Sequence, residues 1–259
     1  MKTRRLGRIF RPNGRTLIVA MEHTVIFGPG KGLERPGETI AKVIAGGADA
    51  IMTSFGIASH FARELVPVGL VLRSDGATTK LGQDVPAPIW FGVEEALRLG
   101  ADALCISAYP GDHKEQATFD NLASVAREAQ AWGLALQAEM VPGGMGSGPD
   151  YRTADNVALA ARVGIELGAD WVKVPYTPNF EQVTGVCFKP VVIMGGAQRG
   201  TEFEFLREIR AAMDAGAAGG TIGRNIFESA DPEAMTAAIA AIIHNDASVD
   251  EAMAILNRR

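Results

Sequence analysis

GIELGADWVKVPY, residues 164–176, decides the fold. An amphipathic stretch runs into Leu-Gly-Ala-Asp, and the Gly stops a helix because it accepts the left-handed conformation other residues resist. The apolar run that follows reads as a strand buried on both faces, as in parallel sheets covered by helices. The same phrase occurs as VIAGGADAIMTS (43–54) and ALRLGADALCISAY (96–109), with a weaker copy, MDAGAAGGTIGRN (213–225). Between these copies lie TLIVAM (16–21), VGLVLRS (68–74), LALQAEM (134–140) and PVVIMGG (190–196), which brings the strands to eight. Helical patterns cover 36–46, 90–99, 114–132, 153–168, 178–186, 201–215 and roughly 231–244, and SVDEAMAILNRR at the end forms an extra outer helix. Eight units in 259 residues average roughly 32 residues each, the size of a βα unit. The expectation is a (β/α)8 TIM barrel, with a doubly wound open sheet as the main alternative. No linker or shift of composition divides the chain, so residues 1–259 are read as a single domain.

Composition removes several function classes. With 47% hydrophobic and 21% charged residues, disorder is excluded. A net charge of -5 argues against a general nucleic-acid or anionic-membrane surface, while leaving room for a local anion site. The basic start, MKTRRLGRIFRPNGR, lacks a signal peptide's apolar core, and no apolar run reaches the about 18 residues that span a bilayer. A cytoplasmic protein is expected. Cys105 and Cys187 form no C-x-x-C pair, and the histidines at 23, 60, 113 and 244 have no metal-ligand spacing.

In such barrels the reactive groups sit at the C-terminal ends of the strands. Of seven lysines only Lys173 lies inside an apolar strand. Burial disfavours an ammonium and is expected to lower its pKa, and a neutral amine attacks a carbonyl to give a Schiff base. The alternative is a structural lysine paired with a carboxylate inside the barrel. Glu22 and His23 follow the first strand; the carboxylate suits acid–base work, or the pair only holds the loop. Tyr109 ends the fourth strand, where it either donates a proton or caps the barrel with its ring. Gly195 and Gly196 after strand seven, a helix starting near Thr201, and Gly223, Arg224 and Asn225 after strand eight match the usual barrel phosphate site. Arg73, Ser74 and Asp75 read best as a polar turn, and the glycines of VPGGMGSGP (141–149) suit a mobile or binding loop over the mouth.

GRIFRPNGRTLIVAMEH, GPGKGLER, GADWVKVPYT, VVIMGGAQ and GAAGGTIGRNIFES resemble the archaeal-type class I fructose-bisphosphate aldolases over nearly the whole chain. They also resemble two relatives: the aldolase-like synthase of an alternative route to aromatic amino acids, and the thiolase that degrades phosphorylated autoinducer-2. The resemblance implies a Schiff base on Lys173, a sugar phosphate held at Gly195, Gly196, Gly223 and Arg224, and a ring-like homo-oligomer, often a decamer of two pentamers. Two departures stand out. The family's Asp-His after strand one is Glu22-His23 here, which moves the charge by about 1.5 Å. Its Tyr-Pro-Arg-Gly after strand five, whose tyrosine is the acid/base, is matched by Met140-Val141-Pro142-Gly143. This leans towards the thiolase, or towards an aldolase with another substrate. Tyr109, Glu139 and Tyr176 are the candidates to replace the tyrosine.

The reading is therefore a lysine-dependent carbon–carbon lyase acting on a small phosphorylated keto sugar. Glu22 or Tyr109 serves as the base and His23 contacts substrate. No metal or organic cofactor is needed, because the protonated imine is the electron sink. Its rivals are acyl transfer to coenzyme A, a non-catalytic sugar-phosphate-binding barrel, and a sugar-phosphate isomerase that would not need Lys173.

Overall fold

The computed structural model describes residues 2–76, 78–82, 88–196 and 200–257. Eight parallel strands close on themselves in sequence order, so the open-sheet alternative is set aside. They are β1 (Thr16–Ala20), β2 (Ala50–Thr53), β3 (Gly69–Arg73), β4 (Ala103–Ala108), β5 (Ala135–Met140), β6 (Trp171–Pro175), β7 (Val191–Met194) and β8 (Gly219–Ile222). The last pair, β8 with β1, aligns Thr16 with Gly219 and closes the ring.

Outside the barrel the predicted helices appear as α3 (Pro36–Ala45), α5 (Val93–Arg98), α6 (Glu115–Trp132), α7 (Ala154–Glu166), α8 (Glu181–Gly185), α9 (Glu202–Asp214), α11 (Pro232–Asn245) and the outer α12 (Val249–Leu256). Four short helices had no legible pattern: α1 (Thr3–Ile9), α2 (Thr24–Phe27), α4 (Phe55–His60) and α10 (Arg224–Phe227). Of these, α2 and α10 have four residues each, barely one turn, so no 3.6-residue period can declare itself. Among the described residues, no helix is long and apolar enough to cross a membrane.

The period of two along each strand sorts the core into two sets. Leu17, Val19, Ile51, Leu70, Leu72, Leu104, Leu136 and Val172 pack outward with the helices. Ile18, Ala20, Ala50, Met52, Val71, Ala103, Cys105, Ala135, Trp171 and Val192 fill the inside. The N-terminal end of the barrel is closed by α1: Ile9 is fully buried among these inner residues, with Leu6 and Phe10 against them. Phe10 meets Trp171 edge to face, ring centroids 5.5 Å apart. The basic opening of the chain is thus a plug for the barrel floor.

The repeated Gly-Ala-Asp phrase has one job at each of its three places. Asp49 Oδ2 accepts the backbone N–H of Leu17 at 2.7 Å, Asp102 that of Leu70 at 3.0 Å, and Asp170 that of Leu136 at 2.9 Å. Each carboxylate thereby satisfies the amide of the second residue of a neighbouring strand and pairs with a cation. Arg11 and His244 serve Asp49, Arg8 serves Asp102 and Lys2 serves Asp170. The weak fourth copy has Ala218 at this position. There Thr16 donates to the Ala218 carbonyl at 2.9 Å. The next residue, Gly219, has φ +126°, and a Cβ on it would lie 1.8 Å from the Thr16 carbonyl oxygen, so only glycine fits. Asp102→Ala removes a charge-assisted strand contact and is expected to cost about 2 kcal/mol, read as a lower Tm with KM unchanged.

Candidate active site

Moving up the barrel interior from the floor plugged by α1, the side chains turn from apolar to ionised. The same period of two that buries Trp171 and Gln137 inside carries Lys173 and Glu139 inward one step higher, and Val71 is followed by Arg73. Lys173 and Glu139 are register partners across β5 and β6. Lys173 Nζ lies 2.6 Å from Glu139 Oε1, and both residues are almost wholly buried. Arg73 Nη1 donates to Glu139 Oε2 at 2.5 Å. Its Nη2 donates to Ser107 Oγ, and its Nε lies 3.0 Å from Asp75 Oδ1. Asp75 Oδ2 in turn accepts the Ser107 backbone N–H at 3.1 Å. Two carboxylates and two cations are therefore linked in one buried network at the C-terminal ends of β3 to β6.

The electrostatics correct one expectation. Burial alone would lower the Lys173 pKa, as its place in an apolar strand suggests, but the charges of Glu139 and Glu22 outweigh it and the net shift is upward. Lys173 rests as an ammonium in an ion pair. Burial pushes Glu139 up, Lys173 and Arg73 pull it down further, and it settles at about 2. Asp75 goes the other way: its burial outweighs Arg73 and raises its pKa.

Glu22 and His23 stand across the mouth, after β1. Glu22 is buried, its Oε2 3.9 Å from His23 Nδ1, and neither atom has a hydrogen-bond partner among the described residues. A substrate hydroxyl between them would reach both. Burial, reinforced by Lys173 and Arg224 and opposed by Glu22, keeps His23 below its usual pKa and hence neutral. Gly223 makes this approach possible, since a Cβ there would lie 2.6 Å from the His23 ring. Arg224, at the start of α10, shares a cavity of 260 Å³ with His23, Thr24, Lys31, Phe27 and Phe227. Arg224 Nε finds no protein partner among the described residues. Asn225 ties the β8 end to β7 by donating to the Gly195 carbonyl at 2.9 Å. Gly196 adopts φ +66°, with nothing within 4 Å of a notional Cβ.

The helix expected to open the phosphate site at Thr201 is closed by its own side chain. Glu204 accepts from the Thr201 backbone N–H at 2.7 Å, and Thr201 Oγ1 caps the Glu204 amide in return. The short α10, straight after β8, is the helix start that faces the mouth. In the β7 loop, Ala197, Gln198 and Arg199 lie outside the described residues, as do Ala77 of the β3 loop and Arg258 and Arg259 of the last segment.

Tyr109 is buried, and its hydroxyl hydrogen-bonds Ser107. Burial first, then the Asp75 charge, pushes its phenol far above the usual range. It joins the network on the Arg73 side, whereas Glu22, His23 and Arg224 lie on the other. Val141, the position at which the resemblance implies a tyrosine, is a buried core residue. The glycine loop that follows is a hydrogen-bonded turn, Gly143 donating to the Pro110 carbonyl at 2.7 Å and Ser147 to that of Pro142 at 2.8 Å. Among the described residues, no group of three His, Cys, Asp or Glu side chains is arranged to hold a metal.

The match to proteins of known type agrees with this arrangement. The model of the DeoC/LacD family aldolases fits residues 16–229, from the first residue of β1 to just past α10. The chain belongs to that family. It is 39% identical over 257 residues to the 2-amino-3,7-dideoxy-D-threo-hept-6-ulosonate synthase of Halobacterium salinarum, covering 98% of this chain and 95% of the other. It is 34% identical to the 3-hydroxy-5-phosphonooxypentane-2,4-dione thiolase of Enterobacter sp. strain 638, over 96% of this chain and 83% of that one. An archaeal fructose-1,6-bisphosphate aldolase, solved with its catalytic lysine bound to the carbinolamine intermediate of the substrate, superposes with a TM-score of 0.82 at 30% identity. That superposition covers 94% of this chain and 99% of the other. The chain is an enzyme of a family whose solved relatives include class I, Schiff-base aldolases. The sequence reading of the family and the barrel stands.

The structure differs from the sequence expectation at Arg73 and Asp75, which form part of the buried network and not a simple polar turn, and it adds Lys31 to the cavity. The strand pattern carries a signal for Arg73 and Glu139. LALQAEM and VGLVLRS place Gln137, Glu139 and Arg73 on the same strand faces as inner apolar residues. A polar side chain on the inner face of a barrel strand near its C-terminal end points at the site.

Proposed function

We propose that this protein makes or breaks a carbon–carbon bond in a small phosphorylated ketose through a Schiff base on Lys173. The observation that carries the reading is the amine of Lys173. It is buried at the mouth of the barrel, in contact with a carboxylate and within electrostatic reach of Glu22 and His23. In the cleavage direction the amine adds to the ketone and water leaves. A base, Glu22, then takes the proton of the hydroxyl beyond the bond to be broken, while Tyr109, its phenol held protonated, can only donate. The electron pair of the C–C bond moves into the protonated imine, the aldehyde departs, and the enamine is protonated and hydrolysed.

The phosphate is assigned to Gly195, Gly196, Gly223 and Arg224, with Lys31 as a second cation on the same cavity. Backbone N–H groups at the start of α10 lack intrahelical partners and suit an anion. Arg224→Ala is expected to raise KM for phosphorylated substrates by about 10- to 100-fold, the worth of a charge-assisted hydrogen bond. Unphosphorylated analogues should be little affected, and an equal loss with them would remove the phosphate assignment.

One observation favours a second reading, acyl transfer from a phosphorylated dione to coenzyme A. Buried Val141 supplies no hydroxyl where the resemblance implies an acid/base tyrosine, and a thiolase is among the relatives. Borohydride trapping followed by mass spectrometry, against a panel of sugar phosphates with and without coenzyme A, tests both readings. A substrate-dependent reduced adduct on Lys173 supports the Schiff base. Product formed only with coenzyme A selects the thiolase. No adduct with any ketone would leave a binding protein.

A further inference from the structure

We propose that Glu139 is the proton carrier for Schiff-base formation on Lys173 and that Arg73 is its positioning residue. This rests on the Schiff-base reading above and supplies the acid/base group that Val141 does not. The geometry is specific. One oxygen of Glu139 meets the reacting nitrogen at 2.6 Å, and the other is held by Arg73. Arg73 is itself fixed through Ser107 and Asp75, so the carboxylate cannot swing away. The layer below carries no charge: it is filled by Gln137, Cys105 and Trp171.

The proton count closes. At rest Lys173 carries three protons and a positive charge, so it cannot attack. Glu139 accepts one proton, and the free amine adds to the ketone. An internal shift of a second proton from nitrogen to oxygen gives the neutral carbinolamine. Glu139 returns its proton to the hydroxyl, which leaves as water, and the lysine nitrogen keeps one proton in the iminium. Ammonium, ketone and carboxylate become iminium, water and carboxylate, with no proton gained or lost. The regenerated carboxylate then faces the iminium charge.

The test is single-turnover adduct formation with dihydroxyacetone phosphate, trapped by borohydride and counted on Lys173 by mass spectrometry across pH. The charged and titratable groups facing Lys173 are Glu139 from β5, Glu22 after β1, Arg73 from β3, Cys105 from β4 and His23. In Glu139→Gln only the Glu22 carboxylate remains, and the proton must leave to water. The rate at neutral pH is expected to fall by about 10²–10³-fold, the usual worth of a positioned acid–base group. It should climb with pH as the lysine titrates, while the wild type stays flat over the same range. Glu139→Asp keeps the charge at a shorter reach and is expected to lose about tenfold with the wild-type pH shape. A Gln variant at the wild-type rate, or one slowed equally at every pH, overturns the proposal. If the Gln variant does not fold, an Asp variant at the full wild-type rate overturns it. Absence of any adduct in the wild type refutes instead the Schiff-base reading beneath it.

Discussion

Lys173→Met is expected to lower turnover by on the order of 10⁴–10⁶-fold, as when the nucleophile of a covalent mechanism is removed, and to leave the barrel folded. Methionine has nearly the length of the lysine side chain and no amine, so no imine forms and the electrons of the breaking bond have nowhere to go. Retention of the fold follows from the network. When Lys173 is lost, Glu139 keeps its hydrogen bond to Arg73 at 2.5 Å and does not become an unpaired buried charge. Circular dichroism and thermal unfolding check the fold, and a coupled assay for the released aldehyde checks the rate. Phosphate affinity should persist, since Arg224 and the β7 and β8 ends are untouched. A variant retaining more than about a hundredth of wild-type turnover would point to a chemistry that needs no imine, such as isomerisation, and the assignment of Lys173 would fall.

What could be read from the chain beforehand divides along a physical line. The repeated Gly-Ala-Asp phrase revealed the strand count because each copy is local: a helix stop, a strand start and one carboxylate for a neighbour's amide. Lys173 was legible because a cation in an apolar strand violates local composition. The Arg73–Glu139–Lys173 network was not, because it joins three strands separated by 66 and 34 residues. Its members meet only once the barrel closes. The same fact inverted the expected pKa of Lys173, since burial can be guessed from one strand but an ion partner on the adjacent strand cannot. Short α10 escaped for another reason: four residues carry no period, so the anion-facing helix start was sought at Thr201. The capping residue that marks Thr201 as a helix start is also what occupies its free amides.

Arg73→Met is expected to be the most destabilising single change at the site, by about 3–5 kcal/mol. At about 2–4 °C per kcal/mol for a chain of this size, that is a fall of about 10 °C in Tm. Arg73 is the cation shared by two buried carboxylates, and without it Asp75 keeps only backbone donors such as the Ser107 N–H. The pH dependence separates this cause from simple loss of packing. In the wild type Glu139 has its pKa lowered from 4.5 to about 2, which contributes about 3 kcal/mol. That stabilisation is complete above pH 4.5 and is lost as the pH falls towards 2. Asp75 has its pKa raised, so its charged form costs stability, and the cost is relieved as the pH falls through its folded value. Lys173, with a raised pKa, adds stability below its unfolded value that is lost only as alkali titrates the folded protein. In the variant Glu139 loses one of its two cations, so its pKa rises, and Asp75 is pushed higher still. Both now bind protons more tightly in the folded state than before, and acidification from pH 7 to 4.5 should narrow the gap in Tm between variant and wild type. Two parallel curves, offset equally at every pH, would mean that Arg73 stabilises by its carbon chain alone and that the charged network has been misread.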